Sequence, residues 1–182
     1  MKLSIIVPVY NEEKTIKEII SRVRAVPLNI DKEIIIIDDF SKDKTREILS
    51  KIRDRDIKII YHENNKGKGS AIRTGLQHIT GDIIIIQDAD LEYNPEEYPK
   101  LIQPILGGKT KVVYGSRYKG KITGPNLLSH LYGNKILTFI TKILYLQDIS
   151  DMETCYKVFK KEVLKDIKLK AKRFDFEPEI TA

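Results

Sequence analysis

Ile83-Ile84-Ile85-Ile86-Gln87-Asp88-Ala89-Asp90-Leu91-Glu92 sets four consecutive isoleucines directly ahead of three acids on alternate positions. A β-branched run without polar alternation is apolar on both faces, which suits a strand of a parallel sheet covered by helices on each side. Upstream, Ile34-Ile35-Ile36-Ile37 repeats the pattern and ends on Asp38-Asp39, and the run over residues 3–9 leads into Tyr10-Asn11-Glu12. Strands are expected over residues 3–9, 33–37, 57–61, 82–86 and 111–114.

Segments of helical period alternate with these runs. Asn11 reads as an N-cap with Glu12 and Glu13 in the first turn, and Ile16, Ile19, Ile20 and Val23 form an apolar stripe ending near Pro27. Ser41 and Asp43 open a second helix with Ile48 and Leu49 inward. Gly69 or Ser70 opens a third, running to Ile79, and Asn94-Pro95 a fourth that stops at Gly107-Gly108. The fold class expected is α/β, a mostly parallel central sheet with helices on both faces. Such open sheets bind ligands beyond the carboxyl ends of their strands, where acids cluster here.

Composition narrows the classes. A chain of 182 residues with 41% hydrophobic content supports one core, so residues 1–182 are read as a single domain. Lys and Arg number 32 against 26 acids, and the resulting +6 inclines the chain toward phosphate-bearing or anionic partners. A single cysteine, Cys155, excludes an internal disulfide framework and is read as a small packed residue; with His62, His78 and His130 scattered, a zinc site is a poor reading. A reducing compartment fits. The amino terminus reaches Pro8 and two acids before a signal-length apolar run develops, and no eighteen-residue apolar stretch follows. Residues 176–182 look like a helix start that stops before it can bury anything, so a carboxyl-terminal truncation is expected.

Crowded carboxylates repel one another unless a cation neutralises them. In an extended segment, the spacing of Asp88, Asp90 and Glu92 sends alternate side chains to one side, and hard oxygen ligands without nearby Cys or His suit Mg²⁺ or Mn²⁺. The plainer reading makes Asp88 and Asp90 loop and cap residues before the Asn94-Pro95 helix start. Asn65-Lys66-Gly67-Lys68-Gly69-Ser70 is basic and Gly-rich ahead of a helix. Its amides and Lys68 could face phosphate, or its glycines could simply form a flexible turn. It fails the P-loop template, and no G-x-G-x-x-G follows the first strand.

Taken together, Pro8-Val9-Tyr10-Asn11-Glu12, Asp38-Asp39-x-Ser41, Asn65-x-Gly67-x-Gly69, Asp88-Ala89-Asp90-Leu91 and Gly115-Ser116-Arg117-Tyr118 resemble the family 2 glycosyltransferases of GT-A fold. The nearest subgroup in pattern comprises dolichol-phosphate mannose synthases and polyprenyl-phosphate glucosyltransferases. The resemblance implies a metal-dependent, inverting transfer of a hexose from a nucleoside diphosphate sugar, GDP-mannose or UDP-glucose, to a polyprenyl phosphate. It implies that Pro8, Tyr10, Glu12, Ile37, Asp39, Lys68, Asp88, Ala89 and Arg117 bind the nucleotide sugar. Asp88, Asp90 and Glu92 would hold Mg²⁺ or Mn²⁺, with Asp90, Arg117 and Asp151 catalytic. Where Glu92 stands, many members carry Gln. Arg117 suits bidentate contact with phosphate; the alternative is a surface arginine after a strand.

Residues 126–145 form a long helical segment with a broad apolar face. It reads either as an ordinary core helix or as one lying in a membrane interface, with Lys119, Lys121, Lys135 and Lys142 available to anionic head groups. Asp151 and Glu153 stand where related folds carry a base for an acceptor hydroxyl. A phosphate monoester is already largely dianionic at neutral pH and can attack unaided, so Asp151 would then orient acceptor or sugar, with Lys157 and Arg173 on the acceptor phosphate. The implied location is peripheral, at the cytoplasmic face of a membrane, and nucleic acid is not an expected partner. Rival readings are a transferase acting on a glycan hydroxyl and a nucleotide-sugar-binding regulator without turnover.

Overall fold

The computed structural model describes residues 1–116, 138, 151, 154–165, 167, 169–173 and 175–181. Strands β1 (Lys2–Val9), β2 (Asp31–Asp38), β3 (Ile57–Tyr61), β4 (Ile83–Ile86), β5 (Val112–Tyr114) and β6 (Lys157–Lys160) form one sheet in the order β3-β2-β1-β4-β6-β5. The first four run parallel, while β6 lies antiparallel between β4 and β5. From β1 the chain winds outward through β2 and β3, then crosses back to place β4 on the other side of β1. That reversal opens a crevice at the carboxyl ends of β1 and β4.

The isoleucine tetrads do what their composition predicts. Ile34 to Ile37 and Ile83 to Ile86 are all buried, and the two faces feed separate clusters. Ile5, Ile34, Ile36, Ile83 and Ile85 pack with Ile16, Ile19 and Val23 of α1 (Ile16–Ala25) and with Ile102 and Ile105 of α4 (Tyr98–Leu106). Ile6, Ile35, Ile37 and Ile84 pack with Ala71 of α3 (Lys68–Leu76) on the opposite face. A short α2 (Thr45–Ser50) follows β2, a 3₁₀ turn over Pro95–Glu97 introduces α4, and α5 (Phe176–Thr181) lies near the end of the chain. At the amino-terminal edge of the sheet, Glu33 of β2 accepts from Lys2 Nζ, Ser4 Oγ and the backbone of Thr80 and Gly81, joining three chain segments.

Three expectations are corrected. Asn11 does not cap α1, which starts at Ile16; it adopts φ 57°, a region Asn tolerates, and its Oδ1 accepts from Lys42 N of the neighbouring loop over 2.8 Å. The segment over residues 176–182 does bury side chains, since Phe176 and Ile180 are 1% and 7% exposed. Finally the sheet has a sixth strand beyond the five expected: β6 enters it and separates β5 from β4. Among the described residues no helix is long and apolar enough to cross a membrane; the amphipathic segment over residues 126–145 lies outside the described residues, apart from Thr138.

Candidate functional site

The loops after β1 and β2 are laced together. Asn11 N donates to Ser41 Oγ (2.9 Å), Glu12 N to Thr45 Oγ1 (2.8 Å), Glu13 N to Asp43 Oδ2 (3.0 Å) and, in return, Lys44 N to Glu13 Oε2 (2.9 Å). This fixes the rim on which Tyr10 stands 45% exposed and Pro8 and Glu12 half-buried. Ile37 is fully buried, so its side chain belongs to the core and cannot touch a nucleotide; it points at α3, under Gly75. Ala89 is likewise buried.

Asp39 faces inward. Its carboxylate accepts from Lys66 N (2.9 Å) and Gly67 N (2.7 Å) and lies 2.7 Å from His62 Nδ1, whose other ring nitrogen is 2.9 Å from Thr74 Oγ1. Ser70 N donates to Lys172 O. Of the amides expected to cradle a phosphate, those of Lys66, Gly67 and Ser70 are therefore already engaged, and Asp39 supplies an anion at the start of α3. Nor are the glycines a flexible turn: a Cβ on Gly67 would run into Lys172 O, and one on Gly69 would lie 2.8 Å from Ala171 O. They let the 171–173 backbone approach α3.

Behind the acidic motif, Gln87 is wholly buried. Its Oε1 accepts from Tyr98 OH (2.7 Å) and Tyr156 OH (3.0 Å), and its Nε2 donates to Asp88 O (2.9 Å), which pins the chain as it leaves β4. The alternation that was to send all three acids to one side does not hold. The extended segment ends at Ile86, and Leu91 takes φ 67°, which breaks the period-two alternation. Among the described residues no group of three acids, histidines or cysteines is arranged to hold a metal ion.

The acids nevertheless divide the work. Asp88 is paired with Lys68, whose Nζ stands 2.9 and 3.0 Å from its two oxygens. Burial favours the neutral form of Lys68, but Asp88 and Glu177 outweigh it and raise its pKa, so the ammonium is permanent. Asp90 stays open at the rim; its carboxyl is pushed up to about 6 by partial withdrawal from water and by the charges of Asp88, Glu92 and Glu12, against the Glu92 amide it accepts. A carboxylate so crowded by other carboxylates favours a hard cation, and this donor set fits Mg²⁺ or Mn²⁺ with Asp90 as the available ligand. Glu92 is exposed beside it.

Of the acceptor residues, Lys157 is 1% exposed, with its ammonium on Thr154 O and over the Tyr114 ring. Its pKa falls to about 8, burial being the main cause, so the side chain belongs beneath the site rather than on a surface that meets phosphate. Asp151 is also buried. Arg173 instead lines an open basic cleft with Lys66, Arg73 and Lys172. Arg117 and Glu153 lie outside the described residues. One residue that no sequence motif pointed to joins the site: Glu177 of α5, whose Oε1 is 2.9 Å from Lys68 Nζ.

A sheet whose strand order reverses beside an acidic rim, with an antiparallel strand inserted beyond β4, defines the GT-A class of α/β domain. The family model described as "Glycosyl transferase family 2" matches residues 4–168, and the chain belongs to that family. It is 35% identical over 191 residues to the UDP-N-acetylglucosamine--dolichyl-phosphate N-acetylglucosaminyltransferase of Methanococcus voltae, covering 94% of this chain and 75% of that one. It is 32% identical over 173 residues to the dolichol-phosphate mannosyltransferase of Pyrococcus furiosus, covering 93% of this chain and 49% of that one. The chain thus spans about half the length of the Pyrococcus relative. Glucosyl-3-phosphoglycerate synthase from Mycobacterium tuberculosis, solved with Mn²⁺, UDP and phosphoglyceric acid, shares the fold at TM-score 0.72 and 22% identity over 97% of this chain and 61% of that one. S. aureus TarS 1-349 does so at TM-score 0.62 and 24% identity, over 91% and 49%.

Proposed function

We propose that the chain is the catalytic domain of a polyprenyl-phosphate glycosyltransferase that takes a sugar from a nucleoside diphosphate donor. The observation that supports this most is the gathering of Tyr10, Glu12, Asp88, Asp90 and Lys68 at one crevice by the ends of β1 and β4 and the start of α3. Two relatives above 30% identity carry dolichyl-phosphate activities in their names, with different sugars, so GDP-mannose, UDP-glucose and UDP-N-acetylglucosamine are the donors to assay.

In this reading Tyr10 offers an open ring to the base. Asp39 acts indirectly, by holding residues 65–67 and the start of α3 in place. Mg²⁺ or Mn²⁺, held by Asp90 with Asp88 or Glu92, would neutralise charge on the departing diphosphate. The chain's permanent cation, Lys68, lies beside that position. The acceptor phosphate needs no base: its second pKa is near 6, so an oxygen is already anionic. That oxygen forms a bond to the sugar C1 while the bond from C1 to the diphosphate oxygen breaks, and the nucleoside diphosphate leaves with the electron pair. Attack opposite the leaving group inverts C1. Arg117 is proposed on phosphate and Asp151 in orienting the acceptor or sugar.

A lipid acceptor places the work at a membrane surface, and the cytoplasmic face is the side we propose. The test incubates the full-length protein with Mn²⁺, each radiolabelled donor and a polyprenyl phosphate. Label should enter the organic-extractable lipid, and inverted stereochemistry at C1 should follow. Label found only in a water-soluble glycan, or donor binding without any product, would replace this reading with one of its rivals.

A further inference from the structure

Glu177 reaches the site from α5, and its place there is well fixed. Phe176 and Ile180 of the same helix are buried, and Glu179 accepts from the Lys170 and Ala171 amides at 2.8 Å each. Glu177 itself is 8% exposed. Its Oε1 and both oxygens of Asp88 lie within 3.0 Å of one ammonium, that of Lys68. The two carboxylates share the Lys68 ammonium unequally, and Glu177 also acts on the buried Lys157 ammonium. Asp88 uses both oxygens, whereas Glu177 Oε2 is buried with no hydrogen-bond partner.

We propose that Glu177 is a positioning residue for the donor site: it is the alternative seat of the Lys68 ammonium, and by taking that cation it frees the Asp88 carboxylate for a divalent ion. This rests on the metal reading above. With both oxygens on Lys68, Asp88 presents no free charge, so an arriving cation has to displace the ammonium. Stranding a buried ammonium without a partner is strongly unfavourable. Glu177 removes that obstacle, because Lys68 keeps Oε1 and gains the unpartnered Oε2. Lys carries three donors on a flexible stem, so the shift is a side-chain rotation. No proton moves and no covalent bond changes. A glutamine here would retain the shape and lose the charge that draws the ammonium away.

The test is Mn²⁺ binding to the full-length protein, followed by the electron paramagnetic resonance of free Mn²⁺, which needs neither donor nor acceptor. Glu177→Gln should weaken Mn²⁺ binding by roughly tenfold. In a Lys68→Met background, where Asp88 has no competitor, the same change should matter by less than about twofold. Glu177→Asp keeps the charge but draws it back from the ammonium. It should weaken binding by at least about threefold, and it keeps the proposal testable if Lys68→Met does not fold. Equal losses in both backgrounds would show a charge acting through space and overturn the proposal, as would unchanged affinity in Glu177→Gln. Wild-type protein that binds no Mn²⁺ would instead overturn the metal reading, and this proposal with it.

Discussion

The Gly67 amide donates to the Asp39 carboxylate over 2.7 Å where α3 begins, so the domain carries its own anion at the helix start where the sequence pointed to a phosphate. The same glycine sits at φ 88°, with Lys172 O immediately over its Cα. One residue thus ties the end of β2, the start of α3 and the 171–173 segment into a single body, with Lys68 next in sequence aimed at Asp88.

Gly67→Ala tests that junction. Left-handed backbone costs a residue with a Cβ about 1–2 kcal/mol, and the backbone oxygen in its path has to move as well. The substitution should destabilise the domain by at least about 2 kcal/mol in chemical denaturation, with nucleotide binding weakened through Lys68. A loss under about 0.5 kcal/mol, the range of an ordinary surface change, would mean that residues 171–173 do not press on α3 in solution.

Glu33, at the edge of the sheet away from the site, sets the acid limit. Burial would raise its pKa, but hydrogen bonds from Lys2, Ser4 and Thr80 hold it at about 2, under its ordinary 4.5. A depressed carboxyl stabilises the fold fully above its unfolded value, and that contribution is lost as pH falls from about 4.5 to about 2. Glu33→Gln should cost about 2 kcal/mol at pH 7, after discounting for solvent screening, and the gap from wild type should narrow through that window. A gap that stays constant with pH would assign the loss to geometry rather than to charge.

Much of this was legible in the sequence, and the failures have physical causes. Unbroken isoleucine tetrads announced the parallel sheet, and acids after them located the crevice. Alternation failed at Asp88-x-Asp90-x-Glu92 because Leu91 leaves the extended region, which no composition rule foretells. Asn11 was misread because capping and left-handed backbone favour the same residue type. Asp39 turned inward for partners supplied by distant segments, and Lys157 for the nearby Thr154 carbonyl and the distant Tyr114 ring. β6 is four residues long and pairs non-locally. Glu177 gave no signal of its own; only the fold brings it to Lys68.

Gln87 tests whether the acidic loop is held from behind. Replacing it by Leu keeps the volume but leaves Tyr98 OH and Tyr156 OH without their acceptor in a buried setting, at about 1–3 kcal/mol each. Gln87→Leu should therefore lower stability by about 3 kcal/mol in denaturant titration. It should also weaken Mn²⁺ binding, because the Asp88 carbonyl loses its donor. Stability within about 0.5 kcal/mol of wild type would show that water satisfies both tyrosines.

Asp90→Asn separates function from stability at one atom pair. The Asp90 carboxyl titrates near 6 rather than 3.8, so the folded protein holds that proton more tightly than the unfolded chain. Its ionisation therefore costs stability as pH rises from about 4 to about 6, and an amide that never ionises avoids the cost. Metal-free Asp90→Asn should be at least as stable as wild type at pH 7, by up to about 1 kcal/mol after screening, with the gain vanishing below about pH 4. A neutral amide is a poor ligand for a hard divalent ion, so Mn²⁺ affinity should fall at least about tenfold and sugar transfer should be lost. Thermal melts across pH and Mn²⁺ titrations of the same preparations read both effects. A stable variant that still binds Mn²⁺ like wild type would remove Asp90 from the metal site, because the amide keeps the shape of the side chain but has neither its charge nor its second oxygen ligand.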